Sequence, residues 1–598
     1  MYNNRKKMTG SKYLKRRRQN VRYHIRFMNQ NTEIFVERGT LAQACAGAGY
    51  PLNLVCGGKG TCGKCKIKVK RNGVLTEVLA CREKVRQDEE VYLEENDYIH
   101  EGNVLTKSSL SGVGFCPSVR KVYQRKEELM PEHSGSFLAC AGIPVMRKFA
   151  AFSADYDFEG CTFVYYEDRI IDVQEGNTVN VCYGAAVDIG TTTVVCYLYD
   201  LANNHLVTTK SGLNKQIIHG ADVIARNAFA RECPENLEEL QRLIQETING
   251  MLDEAMEENP QIRENLYHMV ICGNSTMQHL FYGLNPANLG VRPFANITAE
   301  PVVSSAKEAG INIAPEGVVE FLPLLGGFVG ADTAAVLLTL EEDEKKYIMV
   351  DLGTNGEIGV GNYDRFLIAS TACGPALEGG NIACGMRGAA GAIETISIDG
   401  DEVKLKVIGN TSPAGLCGSA VIDAVAELRK VGLIDETGLL LSAEKYEKTH
   451  PGSRLCERLR EVGEYNMAFF FTDGENAVYL SQKDIRQIQL AKSSIYSGCM
   501  TLLAEYGMTP DDVDSLILAG AFGNYIDIDN ALSIGMLPPV AREKILSVGN
   551  GAGKGVQALL LDSSFRRKLQ KIRANSTHIE LADNQNFMEQ YIMNMNFR

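Results

Sequence analysis

No apolar run in this 598-residue chain reaches the ~18 residues that a bilayer-spanning helix requires. The basic amino terminus is not followed by an apolar core, which excludes a secretory leader and makes the cytoplasm the expected compartment. A Walker loop is missing. Gly553-Lys554 is followed by Gly555 instead of Ser or Thr, and Val548 occupies the place of the loop's first glycine. No flavin or pyridine-nucleotide motif is visible either. Tryptophan is absent and excludes nothing. Acidic residues are absent from residues 1–32, which hold ten Lys/Arg; the rest of the chain carries 51 Lys/Arg against 74 Asp/Glu. So acidic a body disfavours nonspecific nucleic-acid binding, and no specific nucleic-acid partner is expected. Residues 1–20, with Arg5, Lys6, Lys7, Lys12, Lys15 and Arg16–Arg18, read as a basic flexible arm.

The composition is otherwise that of a soluble globular protein: 45% hydrophobic and 23% charged residues rule out a disordered or disulfide-stapled chain. Its length suits about four domains. Val21, Tyr23, Ile25 and Phe27 alternate with polar residues as in a half-buried strand. Glu33–Glu37 predicts a second strand, Thr40 a helix cap, and Lys66–Lys70 and Glu89–Leu93 further strands. Together they make a small α+β domain over 21–97. Residues 98–183 read as a connecting domain, with strands at Phe163–Tyr166 and Arg169–Val173 and no assignable task. From Gly184 to the end, apolar strands ending in glycine turns alternate with helices such as Asn236–Glu258, Ser419–Val431 and Lys483–Tyr506, the pattern of an α/β core.

Seventeen cysteines are many for a cytoplasmic protein, where disulfides are rare and clustered thiols point to metal or redox chemistry. Isolated ones such as Cys196, Cys272 and Cys456 read as buried small hydrophobes. One group is clustered. Cys56, Cys62 and Cys65 are spaced C-x5-C-x2-C in a glycine-rich loop, with Cys81 sixteen residues further on. Four thiolates suit a [2Fe–2S] cluster, and Gly57, Gly58, Gly60 and Gly63 let backbone N–H groups approach the sulfurs. A zinc knuckle would pair its C-x2-C units, and only Cys62 and Cys65 form one. The same pair matches a redox C-x-x-C, but that motif includes neither Cys56 nor the glycines. Cys81 is favoured as fourth ligand because a strand follows it closely; Cys140 and Cys116 are the alternatives.

A second feature is duplicated. Ala185–Val195 and Ile348–Val360 each read as strand, Asp, Gly-Thr turn and strand, with Asp188 and Asp351 at matching places. Turns at Gly190, Thr191, Thr192, Thr193 and at Gly353, Thr354, Asn355, Gly356 present N–H groups and hydroxyls to phosphate oxygens. Asp188 and Asp351 can hold Mg²⁺, and Glu357 adds a carboxylate. The apolar strand Leu516–Ala519 runs into Gly520 and Gly523, where a missing side chain lets an adenosine lie against the backbone. In Gly326–Asp332, Asp332 reads as a helix cap or, as a resemblance to actin-like kinases and ATPases implies, as a base orienting the attacking group. Asn274 reads as a cap or a nucleotide contact, and Leu240, Leu243, Ile244, Ile248 and Leu252 as a core stripe.

The order of the two hairpins and the later glycine strand resembles the phosphate-one, phosphate-two and adenosine motifs of the actin, sugar kinase and heat-shock chaperone (ASKHA) superfamily. The cysteine loop resembles ferredoxin domains. The whole, from residue ~21 onward, resembles the ATP-dependent reductive activators of corrinoid proteins, supported by Gly273–Met277, Gly374–Gly379, Gly415–Ser419, Ser481–Lys492 and Ile579–Asp583. The basic arm and the stretch 98–145 depart from that family's pattern. The resemblance implies a multidomain chain: a β-grasp ferredoxin domain, a connecting domain and an actin-like ATPase core (184–598) of two related halves. It also implies a [2Fe–2S] cluster, ATP and Mg²⁺, a homodimer, a corrinoid protein partner, an external low-potential electron donor, and reduction of inactive Co(II) to Co(I). Rival readings are a kinase with an attached redox domain, an electron gate for another low-potential reduction, and an ATP-switched redox sensor or scaffold.

The ligand assignment yields the first prediction. Cys81→Ala is expected to abolish or badly destabilise the cluster, read from iron per chain and the visible spectrum. A normal cluster in Cys81→Ala, lost instead in Cys116→Ala or Cys140→Ala, overturns the assignment.

Overall fold

The structure, a computed structural model, describes residues 22–597 apart from 38, 53, 55–57, 59, 61, 62, 64, 72, 95–97, 99–111, 130–137, 139, 140, 156, 221, 354, 464, 465, 475 and 524. The basic arm, Cys56, Cys62, Cys140 and Thr354 therefore lie outside the described residues. Two compact units divide the chain: Met1–Asn53 with Gly58–Ile99, and Leu54–Gly57 with His100–Arg598.

In the first unit, β1 (Tyr23–Phe27) and β2 (Thr32–Val36) form a hairpin. Thr40 caps the helix Leu41–Gly47 through a reciprocal box with Gln43, satisfying two end N–H groups. Strands β3 (Lys66–Arg71), β4 (Val74–Leu79) and β5 (Glu89–Tyr92) complete a sheet of order β2-β1-β5-β3-β4. Only β1 and β5 run parallel, the β-grasp arrangement. Ile25, Phe27, Ile67, Val69 and Val91 bury one face against Leu41 and Cys45. The edge strand β4 escapes the sequence reading because its first residues are exposed on both faces, so no alternation marks it.

The second unit begins with an antiparallel sheet of β6 (Val119–Arg125), β7 (Gly160–Tyr166) and β8 (Arg169–Glu175). Phe163, Ile170 and Val173 pack with Val145 of the helix Ile143–Ser153, while Val164, Tyr166 and Ile171 join the main core. A buried polar cluster fixes this junction: Arg566 reaches Glu320 with two nitrogens, Ser118 Oγ at 3.2 Å and the Tyr166 hydroxyl at 2.9 Å.

The remainder is built twice. Strands β9 (Tyr183–Ile189), β10 (Thr193–Asp200), β11 (His205–Leu213), β12 (Leu266–Gly273), β13 (Val302–Ser305) and β14 (Val318–Phe321) form a sheet of order β11-β10-β9-β12-β14-β13. Strands β15 (Tyr347–Leu352), β16 (Gly356–Asn362) and β17 (Arg365–Thr371) open the second half. Two small sheets follow, from β18 (Ala392–Asp399), β19 (Glu402–Val407) and β20 (Gly415–Leu416), and from β21 (Leu459–Glu461), β22 (Met467–Phe470) and β23 (Tyr479–Ser481). With β24 (Ser515–Ala519), β25 (Ile545–Gly549) and β26 (Ser576–His578), the second large sheet has the order β25-β24-β15-β16-β17-β26. Without the edge strands β13 and β26, both sheets run third-second-first-fourth-fifth, the first strand antiparallel to the second and parallel to the fourth. The helical stripe Leu240, Leu243, Ile244, Ile248 and Leu252 is buried in the first half, as expected of a core face.

The halves are joined by an exchange of helices. Gly551–Leu561 follows β25 of the second half yet packs on β9 and β12 of the first, burying Val556, Leu559 and Leu560 there. It crosses the helix Ala331–Leu338 at Gly555, where a Cβ would stand 1.9 Å from the Ala335 carbonyl oxygen. Backbone meets backbone at this point, and nothing larger than hydrogen fits without moving a helix. Gly555→Val is therefore expected to cost about 1–3 kcal/mol or more. Gly250→Ala, at a helical position with nothing within 4 Å, should stabilise by roughly 0.5–1 kcal/mol. Thermal midpoints of the two variants should move in opposite directions.

Candidate functional site

Because the two sheets are related, their hairpins face one another. Asp188 ends β9 opposite Val195, and Asp351 ends β15 opposite Glu357, so the second half carries an acid where the first carries an aliphatic side chain. Gly190 N–H donates to the Thr193 carbonyl and Gly353 N–H to that of Asn355, each at 3.0 Å, closing the two turns. Between them lies a cavity of about 590 Å³. Its wall includes Asp188, Gly190, Thr191, Thr192 and Thr193 from the first half and Asp351, Gly353, Asn355, Glu357 and Gly520 from the second. Asp332 reaches it as well.

Gly520 sits at φ +87°, and a Cβ there would come 2.6 Å from both Asp351 Oδ1 and the Leu352 carbonyl oxygen. The position needs glycine for conformation and for space. Two expected residues lie elsewhere: Gly356 is buried at the start of β16 and Gly523 is buried behind the end of β24, and neither lines the cavity. Asp332 is no cap; Gly330 holds that place, and Asp332 lies in the first turn, accepting from its neighbour's N–H at 2.7 Å. Asn274 is a cap, as one of its readings had it, and it also reaches the first turn. Its Oδ1 caps the helix Ser275–Phe281 while its Nδ2 donates to Thr191 Oγ1 at 3.0 Å.

Three contributors carried no recognised signal. Asn550 caps the crossing helix through Oδ1 and donates from Nδ2 to Asp188 Oδ2 at 2.9 Å, tying the helix exchange to the first hairpin. The Asn at the Gly549–Gly551 junction marked it, in a segment read only as a failed Walker loop. Arg226, wholly buried, donates to the carbonyls of Thr191 and Gly220 and so fixes the first turn from behind. Arg387, from the link between β17 and β18, enters the wall from the second half.

Of the seven carboxyls that line the cleft, four act on one another through their charges: Asp188, Asp332, Asp351 and Glu357. Among the described residues none of them is paired with a Lys or Arg, and all four are raised above their ordinary ranges, first by burial. For Asp351, pushed up to about 7, repulsion from Asp332 and Asp188 adds to burial; Glu357 is raised by Asp332 and Asp351 in the same way. Hydrogen bonds from Asn550 and Cys272 hold Asp188 back in part. A pocket of mutually repelling acids with converging turn N–H groups suits a hard cation carried in with an anion. No group of three or more His, Cys, Asp or Glu stands at metal-holding distance among the described residues.

In the first unit, Cys65 and Cys81 are both buried, and Ala80 N–H donates to the Cys65 carbonyl at 2.9 Å. Gly58, from the middle of the cysteine loop, lies beside Cys81: a Cβ on it would stand 3.9 Å from that of Cys81. Cys116 is exposed and bound instead to the second unit, its N–H donating to the Leu561 carbonyl at 2.8 Å. Of the cysteines expected to be buried, Cys196 and Cys272 are, whereas Cys456 is only partly covered.

Residues 183–345 match the family of the RACo middle region, and residues 345–598 that of the C-terminal domain of RACo, the ASKHA domain. A corrinoid activation enzyme, RamQ of Eubacterium limosum, is 41% identical over 94% of this chain and 97% of its own length. The [Co(II) methylated amine-specific corrinoid protein] reductase of Methanosarcina barkeri is 25% identical over 69% and 77%. Among solved structures, a reductive activator for a corrinoid, iron–sulfur protein superposes with a TM-score of 0.71 at 28% identity, over 96% of this chain and 98% of that one. With its duplicated sheets, its acid-lined cleft and these relatives, the chain belongs to the RACo-type family of corrinoid-protein activators.

Proposed function

We propose that this protein reactivates a corrinoid protein by one-electron reduction of Co(II) to Co(I), driven by ATP binding and hydrolysis in the cleft between the two halves. The observation that carries the reading is the cleft itself: duplicated turns and four cation-free carboxyls facing one another, in a chain of this family. Asp188 and Asp351 would hold Mg²⁺ through its waters, with Glu357 nearby, and the turns at Gly190–Thr193 and at Gly353 and Asn355 would take the phosphates. The bound ion neutralises phosphate charge and polarises the terminal phosphoryl group. Asp332, in the cavity wall, would orient the attacking water, and its raised affinity for protons suits a base working near neutrality.

In the first unit, Cys56, Cys62, Cys65 and Cys81 would hold a [2Fe–2S] cluster. The placing of Gly58 against Cys81 supports Cys81 as the fourth ligand. An external low-potential donor loads the cluster. A homodimer working in the cytoplasm completes the reading; no helix among the described residues is long and apolar enough to cross a membrane.

ATP is needed for a thermodynamic reason. A ferredoxin-type cluster near roughly −400 mV populates little Co(I) if the cobalt couple lies lower, since ~59 mV is a factor of ten for one electron. Closing the cleft must change the energetics of the complex. Three samples test this: reduced protein with a Co(II) corrinoid protein plus ATP, plus a nonhydrolysable analogue, and without nucleotide. Co(I) should accumulate substantially only with ATP. Equal yields in all three would return the reading to a sensor or scaffold.

Two results are expected at the cleft. Asp188→Ala and Asp351→Ala should cripple ATP turnover and leave the iron–sulfur spectrum intact. The raised carboxyls also set a pH dependence. Asp351 holds its proton more tightly folded (about 7) than at its ordinary 3.8. Its contribution to stability is therefore present below about pH 4 and lost as the pH climbs through 7. In nucleotide- and metal-free protein at pH 7.5, Asp351→Asn should be the more stable form by about 1–3 kcal/mol. The gap should shrink toward pH 5, as read from paired melting curves.

A further inference from the structure

We propose that Arg387 is an arginine supplied from within the chain to the terminal phosphate of the nucleotide, stabilising the charge that develops as that phosphoryl group is cleaved. The inference rests on the nucleotide reading of the cleft and adds to it a catalytic residue.

Arg387 is the cleft's exceptional charge. The other charged side chains in the cavity wall are seven carboxyls, the four above with Asp222, Glu378 and Glu394, and Arg387 enters from the second half opposite the first hairpin. Its Nη2 lies 3.5 Å from Thr192 Oγ1, a residue 195 positions earlier and in the other half. Among the described residues it forms no ion pair, although Glu378 is near enough to act on it electrostatically. Burial works against its charge. A mostly covered guanidinium with no carboxylate at ion-pair distance is costly unless an anion comes to it, and its planar fork fits phosphate oxygens with two parallel hydrogen bonds. Lysine cannot supply that fork.

Its backbone is held where such a role needs it. Met386 N–H donates to the Leu416 carbonyl at 2.9 Å, and Gly385 forms a bridge with the same strand residue. Leu416 belongs to β20, part of the small sheet built into the second half. The side chain therefore moves with the second half, while Thr192 moves with the first. Arg226 secures the first hairpin from the far side through the Thr191 carbonyl. Two guanidiniums bracket one turn, but only Arg387 faces the cavity.

The step balances with water as the only co-reactant. A water oxygen bonds to the terminal phosphorus, and the bond from that phosphorus to the bridging oxygen breaks. ADP leaves with the bonding electron pair, and the water's proton passes to a cleft carboxylate. Arg387 meets the equatorial oxygens, whose charge is greatest at mid-transfer. Because its contact with Thr192 bridges the halves, full closure and full acceleration coincide.

The test uses full-length, cluster-loaded protein and compares wild type, Arg387→Ala and Arg387→Lys. Expected in both variants is a fall in ATPase kcat of roughly 10²-fold or more, with the Kd for Mg-ADP within about threefold of wild type and the iron–sulfur spectrum unchanged. Tight binding of ADP with aluminium fluoride should be lost, and millimolar guanidinium should restore part of the Arg387→Ala rate. Should Arg387→Ala fold poorly, Arg387→Lys and the guanidinium titration carry the test. A kcat within threefold of wild type in Arg387→Lys and Arg387→Ala overturns the proposal. So does a loss confined to ADP and ATP affinity at unchanged kcat. Wild type that neither binds nor hydrolyses Mg-ATP would instead defeat the nucleotide reading itself, an outcome the first comparison reveals before any variant is made.

Discussion

Mutual repulsion among four carboxyls in one cleft is the constraint on which the rest of this structure turns. Asp188 and Asp332 come from the first half, Asp351 and Glu357 from the second. Burial and then mutual repulsion disfavour their ionised forms, and each holds its proton more tightly than usual. The fold must therefore supply enough cohesion elsewhere to keep the halves in register. It does so through the helix exchange, in which Gly551–Leu561 completes the first half's core. The same helix starts at Asn550, which donates directly to Asp188. Cohesion and chemistry thus meet at one residue. A cation entering with phosphate would reverse the sign of the central interaction, so cleft occupancy and the spacing of the halves are linked by simple electrostatics.

This architecture also accounts for the separation of tasks along the chain. The β-grasp unit presents a cysteine loop whose Gly58 lies against Cys81. The second unit presents the cleft. The three-stranded sheet β6–β8 is bound into the second unit on one face and covered by its own helix on the other. Its buried Arg566–Glu320 contact makes that attachment specific, because neither charge tolerates burial without the other.

Much of this was legible in the sequence where signals are local. The β1 alternation, the Thr40 cap and the twin Asp-x-Gly hairpins each depend on a few consecutive residues, and each occurs where read. The edge strand β4 was not legible, since its exposed side chains have no period. Neither were Asn550, Arg226 and Arg387, whose roles arise from the meeting of segments far apart: 362 residues separate Asn550 from Asp188. Gly356 and Gly523 looked like their cleft-lining neighbours in composition. Backbone position alone separates them from Gly520, which touches Asp351. Asp332 illustrates a further limit. Cap and first-turn acid look alike in sequence, and two residues of register, set by Gly330, decide between them.

The exchanged helix has a consequence for biosynthesis. During synthesis, β9 to β14 emerge more than two hundred residues before Val556, Leu559 and Leu560, the side chains that cover part of their sheet. Until then an apolar surface on the nascent chain stays open to water or to whatever else binds it. The two halves are related in topology yet are not autonomous folding units. The first is finished by the carboxyl-terminal part of the second, so order of emergence from the ribosome, as much as final stability, governs how safely this chain reaches its fold.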